Sequence, residues 1–280
     1  MRVLSIFRLK SGKRFLSSSG FTRFVCGKIG VMNGISSFVL KVSAMITMVI
    51  DHLGIRWLKN GRIFRLFGRM SFPLYAWMTA ESVHYTTEKH SEQKHALRLL
   101  LLALISEVPY DLFFSNSFFN PRRNNVIFTL LAGYLVCIAF RKLDSRILKL
   151  ACLGAACYLT EHFTCSYRWI GVLMIVLFDW YQSYERTHDR RFRIPFLFVV
   201  LGLYALYYIM HGVTPFTIDA IVTNFRTYSY SQLGSFLALP LLAFYNGEKG
   251  YHGRTFLWFY RLFYPLHLAA ALLLEKFLPL

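Results

Sequence analysis

Acidic side chains are scarce in this chain. Only 14 Asp and Glu stand against 32 Lys and Arg in 280 residues, and charged residues of both signs make up 16%. A soluble domain carries nearer a quarter, so an ordinary water-facing surface is excluded. Cysteine is sparse as well. Cys26, Cys137, Cys152, Cys157 and Cys165 form an odd set with no C-x-x-C pair, which argues against a disulfide framework or a cysteine zinc site. Three of them sit in or beside one apolar stretch and read as inert core thiols. The patterns G-x-x-x-x-G-K-[ST], G-x-S-x-G and H-E-x-x-H are missing, and with them the usual phosphate loop, nucleophile elbow and zincin helix. The imidazoles of "HYTTEKHSEQKH" (84–95) match no standard zinc spacing and read as a solvated face, so no metal is expected. No polar stretch resembles a linker to a second domain. The front of the chain lacks the long apolar core and small-residue cleavage site of a signal peptide, so none is expected.

Apolar residues are what the chain has in excess, at 55% hydrophobic and 18% aromatic. They come in runs: "ALRLLLLALI" (96–105), "VIFTLLAGYLVCIAF" (126–140), "IGVLMIVLFDW" (170–180), "IPFLFVVLGLYALYYIM" (194–210) and "LHLAAALLL" (266–274). A bilayer core asks for roughly 20 apolar residues per helix, fewer where neighbours shield the ends. The expected fold class is an all-α polytopic membrane protein with about nine transmembrane helices (range about 8–10) in a single bundle. The spans fall near 37–57, 66–84, 96–114, 125–140, 147–163, 167–184, 194–211, 233–246 and 256–274. Residues 1–35 are basic and Ser/Gly-rich, and are expected to lie on an anionic membrane surface or to be disordered. Residues 36–280 form the membrane domain.

The net charge of +18 then reads as topology and not as nucleic-acid binding. With nine spans, the segment up to Lys41 and loops 85–98, 141–149, 185–193 and 246–254 share one side and hold 21 of the 32 basic residues. That side is predicted cytoplasmic, with the N-terminus on it and the C-terminus opposite, in an inner or cytoplasmic membrane. Arg56, Lys59, Arg62, Arg65 and Arg69 are the exception, crowded on the depleted side. Either a span is miscounted, or these cations fold inward around an anion. A secondary transporter would carry internal repeats; the nearest pair, "VPYDLFFSN" (108–116) and "TPFTIDAIVTN" (214–224), matches weakly.

Charged groups inside spans are costly and so point to function. Asp51 and His52 lie side by side within "KVSAMITMVIDHLGIRWL" (41–58), and Lys41 lies about 15 Å earlier on the same helix. Adjacent helical residues do not face each other, so Asp51 cannot simply clamp His52. If His52 is a base, its orienting partner comes from another helix. A purely structural alternative pairs Asp51 with an Arg and His52 with a carbonyl. Glu81 is a further intramembrane acid. Glu107 and Asp111 share a face unless Pro109 breaks their helix. His267, one turn into the last span, reads on its own as a satisfied core histidine.

Taken together, "KVSAMITMVIDHLG" (41–54), "FGRMSFPLYAW" (67–77), "RLLLLALISEVPYDL" (98–112), "NNVIFTLLAGY" (124–134) and "YNGEKG…FYPLHL" (245–268) resemble the TraX family, whose founding members acetylate the N-terminus of a conjugative pilin subunit. The first span also resembles transmembrane acyltransferases, in which a basic residue precedes a His by about three helical turns. The resemblance implies a central cavity, acetyl-CoA as cytoplasmic acyl donor, and a membrane-associated or extracytoplasmic acceptor such as a peptide N-terminus or a sugar hydroxyl. Lys41, Asp51 and His52 fall on the first motif, Gly68, Arg69 and Pro73 on the second, and Tyr264, Pro265 and His267 on the last. Acyl transfer to an amine or hydroxyl needs a base for the acceptor's proton. His52 is expected to be that base or a transient acyl carrier, with Asp51 holding its tautomer or stabilising the imidazolium. Arg69, with Lys41, Arg62 and Arg65, is expected to hold the CoA phosphates or the oxyanion. His267 is a second imidazole near the acceptor. A transporter or channel, and an assembly subunit, are the competing readings.

Overall fold

The computed structural model describes residues 34–57, 61–211, 213, 217–226 and 230–277. The basic segment expected at the membrane surface, apart from its last two residues, and Lys59 lie outside these. By internal contacts the described residues from Ile35 onward form one unit.

Among the described residues the chain is helical, with no strands beyond two isolated bridges, Ile35 to Tyr245 and Asn124 to Cys165. The long helices are α1 (Ser37–Arg56), α3 (Ser71–Glu88), α4 (Glu92–Ser115), α5 (Val126–Lys142), α6 (Arg146–His162), α7 (Arg168–Glu185), α8 (Arg193–Met210) and α11 (Arg254–Phe277). Shorter are α2 (Arg62–Gly68), α9 (Ile218–Asn224) and α10 (Ala238–Ala243), with 3₁₀ turns at Arg190–Phe192 and Tyr230–Leu237. Local signals set several starts. The Asn125 side chain accepts from the Ile127 amide at α5, and Ser145 and Thr217 do the same for α6 and α9.

Two expected spans are not single helices. Residues 66–84 divide into α2 and α3 across Arg69–Met70, and residues 233–246 divide into a 3₁₀ segment and α10. Close backbone approach accounts for the first break. A Cβ on Gly68 would lie 2.2 Å from the Asp51 Cβ and 2.6 Å from its Cα, and one on Gly61 would lie 1.7 Å from the Gly54 carbonyl oxygen. Helix α2 is thus folded flat against the C-terminal half of α1, as small residues permit. On its other side Gly234 presses against the Leu66 carbonyl. Conversely, Pro109 does not break α4, which runs through it.

Helices α1 and α11 lie side by side in the same direction. Phe38 meets Phe256 near their starts, His52 meets His267 further along, and Arg56 bonds Glu275 at their ends. Arg56 also donates to the Phe113 carbonyl near the end of α4. The core is aromatic, with Phe72, Trp77, Tyr134, Phe178, Tyr181 and Tyr204 buried. The outer faces are apolar as well. Leu101, Leu104, Ile105 and Val108 of α4 and Phe198, Val199 and Leu206 of α8 are exposed. Such surfaces suit hydrocarbon and not water. Three described helices are long and apolar enough to cross a membrane by length and composition: Ser37–Arg56, Arg190–Met210 and Arg254–Phe277.

Candidate functional site

A cavity of about 460 Å³ opens beside the C-terminal half of α1. Met48, Asp51, His52 and Ile55 of α1 form one wall, and Arg65 and Arg69 come from α2 and the break after it. The remaining walls include Phe72 and Tyr75 of α3, Tyr110 and Phe114 of α4, the loop at Arg122–Arg123, the segment Thr164–Arg168 and Tyr264 of α11.

His52, on the cavity wall, is joined to His267. His52 Nδ1 lies 2.7 Å from His267 Nε2, with ring planes within 5° and centroids 4.9 Å apart. That combination places the imidazoles end to end in a common plane, the lone-pair-directed geometry of a good hydrogen bond. Proton positions follow from the next link. His267 Nδ1 lies 2.8 Å from the Phe263 carbonyl oxygen, which can only accept, so this nitrogen carries the hydrogen. In the neutral ring Nε2 is then an acceptor, and His52 Nδ1 donates to it. The proton of His52 is therefore fixed on Nδ1, and Nε2 holds a lone pair. Among the described residues nothing hydrogen-bonds that nitrogen.

Asp51 takes the arginine partner that the structural alternative allowed, and not the imidazole. Its carboxylate lies 3.6 Å from the Arg69 guanidinium, while Nδ1 of His52 is bonded to His267. The ion pair is loose. Asp51 Oδ1 and Arg69 Nε are buried without a partner, as is Arg65 Nε. Arg69 also reaches the Tyr167 hydroxyl at 3.4 Å. Unsatisfied buried groups are expensive unless something completes them, and this cluster has unused donors facing a cavity.

The loop carrying Tyr167 is held in strained backbone. Thr164, Tyr167 and Arg168 have φ of 44°, 68° and 46°, a region that non-glycine residues rarely occupy. Tertiary bonds over-determine it. Ser166 donates to the Asn124 carbonyl at 3.1 Å and receives from the Tyr110 hydroxyl at 3.0 Å, and Thr129 donates to the Ser166 carbonyl. The result sets the Tyr167 ring parallel to Phe72 at 3.7 Å, with its hydroxyl toward Arg69.

The structure thus gathers His52, Asp51, His267, Arg65 and Arg69. It does not bring Lys41 or Arg62 to them. Lys41 lies three turns back along α1, over the Tyr260 ring at 5.5 Å, and Arg62 is exposed; neither lines the cavity. Glu81 accepts from the Tyr245 hydroxyl at 2.6 Å. Glu107 is bonded to Asn125, and Asp111 accepts from the Asn120 amide at 2.7 Å. Arg122, Arg123, Tyr167 and Arg168 were not singled out from the sequence. A signal for the arginines existed, since all three stand on the side that the charge count leaves poor.

The sequence profile described as "TraX protein" matches residues 36–275. A probable fimbrial assembly protein FimC, serogroup H1, of Dichelobacter nodosus is 26% identical over 256 residues, covering 87% of this chain and 97% of the relative. No solved structure matches the chain.

Proposed function

The chain belongs to the TraX family, and on that premise we propose that it is an integral-membrane acyltransferase that moves an acyl group, acetyl in the first place, from a thioester donor to an amine or hydroxyl. The observation that carries the reading is the relay from the Phe263 carbonyl through His267 to His52, which leaves Nε2 of His52 as an oriented base on a cavity wall. The nine-span arrangement belongs to this reading. The bundle runs nine passes, one of them the α2–α3 pair and another the 3₁₀ segment with α10.

In the proposed reaction the acceptor's nucleophile attacks the thioester carbonyl carbon. A carbon–nitrogen or carbon–oxygen bond forms and the carbon–sulfur bond breaks. His52 Nε2 takes the acceptor's proton and returns it to the departing thiolate, so acylated acceptor and free thiol are the products. His267 holds the base in the required tautomer, the part that a carboxylate plays in a catalytic triad. The guanidinium of Arg69, with donors to spare, faces the charge that gathers on the carbonyl oxygen. Asp51 holds Arg69 in place. Lys41 stands at the end of α1 that the charge count puts in the cytoplasm, and is the cation proposed to meet the phosphates of acetyl-CoA. The likeness to a protein named for fimbrial assembly supports a surface-filament subunit, or a sugar attached to one, as bearer of the acceptor group.

The test is thiol release. Purified protein in detergent is mixed with acetyl-CoA and free CoA is followed for the wild type and His52→Ala. Turnover that falls by about 10²–10⁴-fold in the variant is the expected result. Equal rates in both proteins, or none in either with envelope extract as acceptor source, would overturn the proposal.

A further inference from the structure

The cavity is far more basic than its chemistry at His52 requires. Five arginines line it, Arg65, Arg69, Arg122, Arg123 and Arg168, against one acid, Asp51. Two of the five are neutralised, Arg69 by Asp51 and Arg168 by Glu161. The other three have no acidic partner among the described residues. The Arg123 guanidinium lies over the Phe114 ring at 4.6 Å, Arg122 is exposed on the same loop, and Arg65 keeps a buried Nε–H without an acceptor. Like charges gathered around one cavity raise the local concentration of anions there, and guanidinium forks suit phosphate oxygens.

Where these cations stand says which substrate they serve. His52 is eleven residues beyond Lys41 along α1, about 16 Å at helical rise. The arginines lie further on, with the end of α1 and the loops at 116–125 and 163–167. Basic residues elsewhere in the molecule concentrate at the Lys41 end, the end that the positive-inside rule places in the cytoplasm. A donor delivered from the cytoplasm meets Lys41 first. The three arginines without an acidic partner line the cavity mouth on the far side of His52 from Lys41, where that rule depletes cations.

We propose that this mouth is the acceptor site, and that the acceptor is an anionic, phosphate-bearing molecule, its phosphate on Arg65, Arg122 and Arg123 and its nucleophile at His52. This rests on the acyltransferase reading for the word acceptor, but not for the anion site itself.

The probe is inorganic pyrophosphate, titrated calorimetrically at low salt into the full chain in nanodiscs, with acetyl-CoA titrated separately. Arg122 and Arg123 are exposed, so an Arg122→Gln/Arg123→Gln variant should keep its fold, checked by thermal unfolding. The expected result is pyrophosphate binding weakened at least tenfold in this variant and unchanged in Lys41→Gln, with the reverse for acetyl-CoA. Pyrophosphate binding that ignores the arginines overturns the inference, as does acetyl-CoA binding that is lost with them. The two proposals fail separately. Anion binding without any thiol release sinks the acyl transfer, and with it the acceptor role, but leaves the site. Thiol release without arginine-dependent anion binding sinks the site and leaves the transfer.

Discussion

The hydrogen bond between His52 and His267 joins residues 215 positions apart, and it decides what each can do. Without His267 the Nδ1–H of His52 has no partner and either tautomer is open, one of which turns an N–H and not a lone pair toward the substrate. His267→Ala is therefore expected to slow thiol release by about 10²–10⁴-fold, the range of a general base, with little change in the KM for acetyl-CoA. His267→Gln offers a carbonyl oxygen to His52 Nδ1 and should recover part of the loss. A merely structural histidine would show no such rescue, and kinetics on the two variants separates the cases. At this scale the sequence was legible in part. Asp51 and His52 could be picked out because charge inside an apolar span is rare, and Arg69 because basic residues crowd where the charge count should be poor. Their partners could not, because the 3.6-residue period says which face a residue occupies and nothing of which distant helix meets it. Taken alone His267 read as an ordinary core histidine for that reason, and only the family resemblance marked it as a second imidazole. For Asp51 the residues left both the imidazole and an arginine open, and it meets the guanidinium.

Helices were read more reliably than their interruptions. Seven expected spans correspond to α1, α4, α5, α6, α7, α8 and α11 with ends shifted by a few residues, because long apolar runs impose helix whatever they pack against. The break between α2 and α3 has no such signature. It comes from the fit of Gly54, Gly61 and Gly68 between two backbones, and a glycine in a sequence does not reveal what approaches it. That fit is testable. Gly68→Ala sets a methyl against the Asp51 backbone, and the expected outcome is a loss of about 1–3 kcal/mol together with displacement of the Asp51–Arg69 pair. Gly154→Ala in the middle of α6 is the control, since nothing lies within 4 Å of its added carbon. It should be neutral or stabilising by up to about 1 kcal/mol, as alanine is the better helix former. Thermal unfolding of both variants in the same detergent, beside thiol release, checks the contrast. Equal melting temperatures would mean that α2 can slide away from α1, and that Arg65 and Arg69 are not held by packing.

For the whole molecule the decisive quantity is which way the cavity faces. On the proposed topology, the distribution of lysine and arginine would put loops 143–145 and 186–192 in the cytoplasm and the Arg122–Arg123 loop outside. The cavity arginines weaken that rule's signal, because they add cations to the side it should deplete. Only once the structure turns Arg65 and Arg69 inward, and groups Arg122, Arg123 and Arg168 with them, can these five be set aside as belonging to a site. The remaining count then favours the Lys41 end more strongly. Single cysteines at Asp144 and at Asn120, in a chain whose native cysteines are replaced by alanine, make this measurable in whole cells with a membrane-impermeant thiol reagent. The expected outcome is labelling at position 120 in intact cells and at position 144 only after the membrane is opened. That pattern puts donor and acceptor on opposite faces, with His52 between them, and makes the transfer a vectorial step that carries an acyl group across the bilayer without carrying the thiol. The opposite pattern would turn the arginine mouth toward cytoplasmic acetyl-CoA. Arg65 and Arg69 would then serve its phosphates, as the motif resemblance first implied, with Arg122 and Arg123 beside them, and Lys41 would be left facing the acceptor.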